Sequence, residues 1–295
     1  MSIIEKAIRR TMEAEAAKSA GATTAPLQPP MLPKSAAHSL AAVTRGKPAV
    51  ALQNDSLRAL GLVPPEDKTR IRRNEFRSIK APILAAVAAH EAAEPNRRSS
   101  VVAVLSSLPG EGKTFISFNL ATSLALDADV TTVLVDGDVA RRQLSNLLGV
   151  QDQPGLSDYL ANEQLSLADV LLPTSAASVF VLPAGQWRDE VTELISGSRM
   201  RGLLERLSQA PGRVVAVVDC PPVLLTSEAG ALMSIADQLV FVVRANHAQQ
   251  GTVEEAVAKL DRSKTIHAVL NAWRPLSIAE RAYNTKYKDY YGSRE

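Results

Sequence analysis

The stretch Val101-Val-Ala-Val-Leu-Ser-Ser-Leu-Pro-Gly-Glu-Gly-Lys113-Thr114 decides the fold. Val101 to Leu105 is a short unbroken apolar run, the pattern of a strand buried on both faces. Ser106 to Gly112 is too short and too glycine-rich to continue it. From Lys113 the pattern changes to an amphipathic helix, expected over 113–126. Strand, glycine loop and helix in that order form a phosphate-binding unit. Gly110 and Gly112 let the backbone approach an anion closely, and the N–H groups of the loop, with Glu111 and Phe115 flanking them, can surround its oxygens. The helix N-terminus adds favourable electrostatics. Lys113 can span the outer phosphates of a nucleotide and Thr114 can offer its hydroxyl to Mg²⁺. The strict pattern has Gly where this chain has Ser107, which fits if that position avoids positive φ.

Two further apolar strands end in carboxylates. Thr132-Val-Leu-Val-Asp136-Gly-Asp138 is one and Val214-Val-Ala-Val-Val-Asp219-Cys-Pro-Pro222 the other. In an open α/β sheet these ends lie on the edge that carries the loop, where ligands bind. A hard cation bridging phosphates takes oxygen ligands, so Asp136 and Asp219 join Thr114 as candidate Mg²⁺ residues. Asp138 is the candidate base for an acceptor hydroxyl, with positioning of a metal-bound water as the alternative. Whether Asp136 and Asp138 emerge together or diverge depends on a turn at Gly137. Water could attack from the same place, which would make the chain a simple ATPase.

Working outward, strands are expected at 130–135, 179–182, 214–218, 238–243 and 266–270, and helices at 200–208 and 252–260. This alternation predicts an α/β fold, a mainly parallel sheet with helices on both faces. Asn271, ending the last strand, either recognises adenine or caps a turn. A stripe of Ile71, Phe76, Ile79, Ile83 and Leu84 predicts a helix before the first strand, bent or ended by Pro82, with the alanine-rich stretch to Ala93 able to continue it. Residues 17–67 are rich in Ala, Ser, Thr and Pro and read as a flexible linker. Residues 1–16 read as a short amphipathic helix, 68–280 as the catalytic domain and 281–295 as a tail.

The 295 residues carry a formal net charge of +2, too small to imply nucleic acid. The single cysteine, Cys220, excludes an internal disulfide and reads as a buried small residue. The four histidines have no metal-ligand spacing, and His247 reads as a turn residue. No apolar run reaches the roughly 20 residues that cross a bilayer. These features together predict a cytoplasmic location.

Four of the five tyrosines, Tyr283, Tyr287, Tyr290 and Tyr291, fall in the last 13 residues. Alone, such a tail reads as a solubilising extension, an RNA- or membrane-contacting segment, or a set of phosphate acceptors. The loop and acidic strand ends favour acceptors.

These residues resemble the bacterial tyrosine kinases of polysaccharide synthesis, built on a partitioning-ATPase-like P-loop fold. Ser106-Ser-Leu-Pro-Gly-Glu-Gly-Lys-Thr is similar to their first nucleotide motif, Val133-Leu-Val-Asp-Gly-Asp-Val-Ala to the second and Val217-Val-Asp-Cys-Pro-Pro to the third. Gly155-Leu-Ser-Asp-Tyr-Leu160, Leu182-Pro-Ala-Gly185 and the terminal tyrosines extend the likeness, and Ile3-Ile-Glu-Lys-Ala7 resembles the start of free-standing, exosortase-associated members. The resemblance implies ATP and Mg²⁺ as cofactors, autophosphorylation of the tail and a cyclic homo-oligomer. It also implies a membrane-bound chain-length or export adaptor that recruits the chain to the cytoplasmic face of the inner membrane, and a cognate tyrosine phosphatase. A partitioning-type regulatory or assembly ATPase is the alternative. Two departures stand out: Ala140 precedes Arg141-Arg142 where relatives place Arg sooner, and Arg73, Glu75, Arg77 and Lys80 match the assembly helix of relatives only loosely.

Overall fold

The computed structural model describes residues 36–52, 55–62, 70–93, 99–208, 210 and 212–272, all within one compact unit, Lys34–Glu295. The helix expected at 1–16 and the tail at 281–295 lie outside the described residues. Helices α1 (Ala36–Val43), α2 (Asp55–Ala59) and α3 (Arg70–Ala93) precede strand β1 (Ser99–Ser106). Then come α4 (Lys113–Leu124), β2 (Val130–Asp136), α5 (Gln143–Leu147), α6 (Leu156–Ala161), α7 (Leu167–Val170), β3 (Leu172–Pro173) and β4 (Val179–Leu182). The chain continues through α8 (Val191–Ser196), α9 (Ser198–Ser208), β5 (Arg213–Asp219), α10 (Glu228–Ile235), β6 (Gln238–Arg244), α11 (Gln250–Ala258) and β7 (Thr265–Asn271).

The strands form one sheet in the order β3-β4-β2-β5-β1-β6-β7, parallel throughout except for the short β3–β4 pair. Because side chains alternate along a strand, each apolar run splits between two cores. Val101, Ala103 and Leu105 face one core with Val133, Val214 and Ala216, and α6, α8, α9 and α10 cover it. Val102 and Val104 face the other with Leu134, Val215 and Val240, beneath α3 and α4. Strands buried on both faces need a continuous apolar sequence, which is why these runs were legible. The parallel strands bring the ends of β1, β2, β5, β6 and β7 to one edge. There β1 lies between β5 and β6, so the chain runs off to either side of it.

One expectation fails in part. The linker reading of 17–67 does not extend to residues 36–52 and 55–62. Ala36 and Leu40 of α1 are buried against one core, and Val50, Leu52, Leu57 and Leu62 against the other. The Val50 N–H donates to the Pro173 carbonyl (2.8 Å), and the Ser175 N–H donates to the Val50 carbonyl (2.9 Å), so this segment pairs along the outer side of β3. Sparse apolar anchors with long-range partners leave little mark on local composition. Of the readings open at Pro82, continuation to Ala93 is the observed one: α3 runs through the proline. Pro82 is exposed, while Phe76, Ile83 and Val87 are buried. Burial of those side chains offsets the roughly 3 kcal/mol that an interior proline costs a helix.

Candidate functional site

Gly110 (φ 80°) and Gly112 (φ 97°) hold left-handed conformations that a side chain would strain, so both glycines are required by the turn. Ser107 does not share that conformation and replaces glycine without strain. Its hydroxyl is buried with no hydrogen-bond partner among the described residues. The Glu111 carboxylate accepts from the Leu108 N–H (2.8 Å) and braces the loop from within. Lys113 is buried and donates to Ser106 Oγ (3.1 Å). Burial holds its pKa below the usual lysine value, with Asp219 and Asp138 opposing that shift. A cation kept in so dry a place is matched to an incoming anion.

Asp219, at the end of β5, accepts from Thr114 Oγ1 (2.6 Å). Ser117 Oγ lies 2.9 Å from the Lys113 carbonyl and 3.2 Å from Asp219 Oδ1, so its one proton serves either acceptor. Asp136 is Asp219's partner across the β2–β5 register. Burial raises Asp219 to a pKa of about 7, reinforced by the charge of Asp136. Asp136 is raised to about 6 by burial, against hydrogen bonds from Ser145, whose N–H (2.8 Å) and Oγ (2.7 Å) both reach Oδ2. Its other oxygen, Oδ1, is buried without a hydrogen-bond partner among the described residues.

Gly137 separates the roles of the two aspartates. A Cβ there would lie 2.9 Å from Leu232 and Val218 side-chain carbons, so only glycine lets the chain turn this close to β5. Asp136 is fully buried towards Ser145, whereas Asp138 is 8% exposed. The main-chain N–H groups of Arg141 and Arg142 donate to the Asp138 carbonyl at 3.1 and 2.7 Å, and Arg141 N–H also lies 3.2 Å from Oδ1. Burial raises the Asp138 pKa, opposed by Arg141 and by the charge of Lys113.

The remaining residues fall into place around this core. Asn271 Nδ2 donates to the Glu111 carbonyl (2.9 Å), and its Oδ1 accepts from the Ala272 N–H (2.8 Å), so it caps a turn and touches the loop at once. The Phe115 ring packs on Phe76, with centroids 6.2 Å apart, facing α3. Cys220 is buried and burial pushes its thiol pKa up. His247 is exposed. Sequence reasoning missed Ser106, Ser117, Ser145 and Arg244. A serine at a strand end or within a helix, or an arginine ending a strand, carries no local signal, so these roles exist only in the folded arrangement.

No family model matches the chain. Among solved structures, the VpsO kinase domain is 31% identical, with a TM-score of 0.54; the match covers 67% of this chain and 98% of that one. The chain belongs to the bacterial tyrosine kinase family. The tyrosine-protein kinase CpsD of Streptococcus agalactiae is 28% identical over 204 residues, 68% of this chain and 84% of CpsD. The tyrosine-protein kinase ptk of Acinetobacter johnsonii is 34% identical over 131 residues, but these span only 17% of that longer protein. The kinase domain of Escherichia coli ETK, at 23% identity and a TM-score of 0.59, shares the fold.

Proposed function

We propose that the chain is an ATP-dependent protein tyrosine autokinase that phosphorylates its own terminus at Tyr283, Tyr287, Tyr290 and Tyr291. The observation that carries this reading is the convergence of Lys113, Thr114, Asp136, Asp138 and Asp219 on one sheet edge in a chain of this family. The oxygen donors suit Mg²⁺: Thr114 and Asp219 are already in contact, and Asp136 Oδ1 is a buried oxygen with its hydrogen-bonding capacity unused. Thr114, Asp136 and Asp219 would hold the ion, which neutralises charge on the outer phosphates when bound. The loop N–H groups and Lys113 bind the triphosphate, with Lys113 placed to balance the charge that develops on transfer. Asp138 receives the phenolic proton as the tyrosine oxygen bonds to the γ-phosphorus and the bond to the ADP oxygen breaks. Its burial favours the proton it must take up.

The family resemblance supports the wider setting: a closed homo-oligomer, control of exopolysaccharide synthesis or export, and a membrane-bound adaptor that brings the chain to the cytoplasmic face of the inner membrane. A cognate phosphatase would reset the tail. Among the described residues no helix is long and apolar enough to cross a membrane, so in this reading the adaptor supplies the attachment. To test the reading, purified protein is incubated with γ-labelled ATP and Mg²⁺, with and without the adaptor's cytosolic segment. Label in protein phosphotyrosine is the expected result; label released only as inorganic phosphate would replace the kinase with a regulatory ATPase.

A further inference from the structure

Two side chains from the far side of the sheet hold the outer rim of the phosphate loop. Arg244, the last residue of β6, donates from a guanidinium nitrogen to the Gly110 carbonyl (3.0 Å). Asn271, its register partner at the end of β7, donates to the next carbonyl, that of Glu111 (2.9 Å). The two strand ends are themselves tied by the Ala245 N–H to the Asn271 carbonyl (2.9 Å). In a trans peptide the carbonyl and the following N–H point in opposite directions. Pinning the Gly110 carbonyl therefore turns the Glu111 N–H away from Arg244, and pinning the Glu111 carbonyl turns the Gly112 N–H away from Asn271. These are donors that a phosphate-binding loop must aim at its anion.

We infer that Arg244 and Asn271 are positioning residues that preset the direction of the loop's N–H groups, so that nucleotide binds a cradle already formed. This rests on the reading of the loop as a nucleotide site. The glycines at 110 and 112 allow the loop many conformations, and the clasp selects one. Asn271 then serves the phosphates through the loop, and its Oδ1 is occupied by its own turn. The 2.0 Å gap between Nδ2 and a Cβ built on Gly112 shows how closely the two are packed.

The test compares wild type, Arg244→Ala and Asn271→Asp by equilibrium binding of ATP, ADP and inorganic tripolyphosphate, each with Mg²⁺. Asn271→Asp keeps the acceptor for the Ala272 N–H and removes the donor to the loop but adds a negative charge, so it is read beside the uncharged Asn271→Ala, which must show the same loss. Wild-type binding of ATP tests the nucleotide reading by itself; the variants test the clasp. All three ligands should lose affinity by a similar factor, about tenfold for each variant, as expected for one charge-assisted or buried hydrogen bond. Arg244→Lys, which retains a donor of nearly equal reach, should recover most of the loss. Loss confined to ATP and ADP would assign Asn271 to the adenine, and loss confined to the two triphosphates would assign Arg244 to the outer phosphate. Either result overturns the inference, as does unchanged binding of all three. Arg244 is exposed, so its replacement carries the test even if Asn271→Asp does not fold.

Discussion

Lys113 and the three aspartates were legible as single residues because each follows a strand or loop of strong local pattern. Ser145 and Arg244 were not, since nothing near them in the sequence marks the partner they meet in space. Lys113→Met should reduce transfer at least about 100-fold in folded protein, the scale seen when one donor to a developing charge is removed. Near-normal incorporation of label by the variant would remove the lysine from the site. For Asp138→Asn, transfer should fall by roughly 100-fold or more while Mg-ATP affinity stays within about threefold. Equal, large losses in both measurements would move Asp138 into the nucleotide or metal shell. Titration gives a separate check on burial. Asp219 and Asp136, with folded pKa values of about 7 and about 6, bind protons in the native state at pH values where an unfolded Asp, near about 3.9, has lost them. Native protein therefore holds more protons through this window, and ligand-free stability falls as pH rises across it. Asp219→Asn removes that titration, so urea unfolding should show it gaining on wild type between about pH 4.5 and about pH 7.5. A pH-independent difference would mean that Asp219 is solvated.

At the scale of elements, strands and the longer helices could be read because their periodicity repeats over several residues. The packing of residues 50–62 could not. Leu52 and Leu57 are single apolar anchors, and they share a buried core with residues of α4, β1 and β2 that lie far away in the sequence. Leu52 is fully buried and Leu57 is 1% exposed, so Leu57→Ala should lower the unfolding free energy by about 2–5 kcal/mol. A loss under about 0.5 kcal/mol, the range of surface substitutions, would restore the linker reading for this segment. The helix through Pro82 carries a related lesson. Lys80 is committed to Asp127 (2.6 Å) and to the Ser123 carbonyl (3.0 Å), which ties α3 to the end of α4. Glu75 and Arg77 remain exposed on the same helix. A proline rule applied locally could not include those distant contacts.

For the whole molecule, the fold class was legible from the alternation of strands and helices, whereas the sequence leaves open which copy's site would receive the proposed acceptor tail. Residue 272 closes the described part of the sheet edge that carries the loop, and Tyr283 follows 11 residues later. If the chain assembles as proposed, a neighbouring copy's site would be open to the tail, and closed symmetry would repeat that pairing around the assembly. When a Lys113→Met copy that keeps its tyrosines is mixed with an active copy carrying phenylalanine at all four positions, phosphate should appear on the inactive copy. Verified mixed assemblies without it would leave transfer within one chain. Where the phosphate goes decides between autokinase and ATPase, and peptide mapping by mass spectrometry after incubation of the wild-type chain with Mg-ATP reads that directly. Phosphate on Tyr283, Tyr287, Tyr290 and Tyr291, absent in Lys113→Met, is the expected result; complete ATP turnover with those four residues unmodified would contradict it.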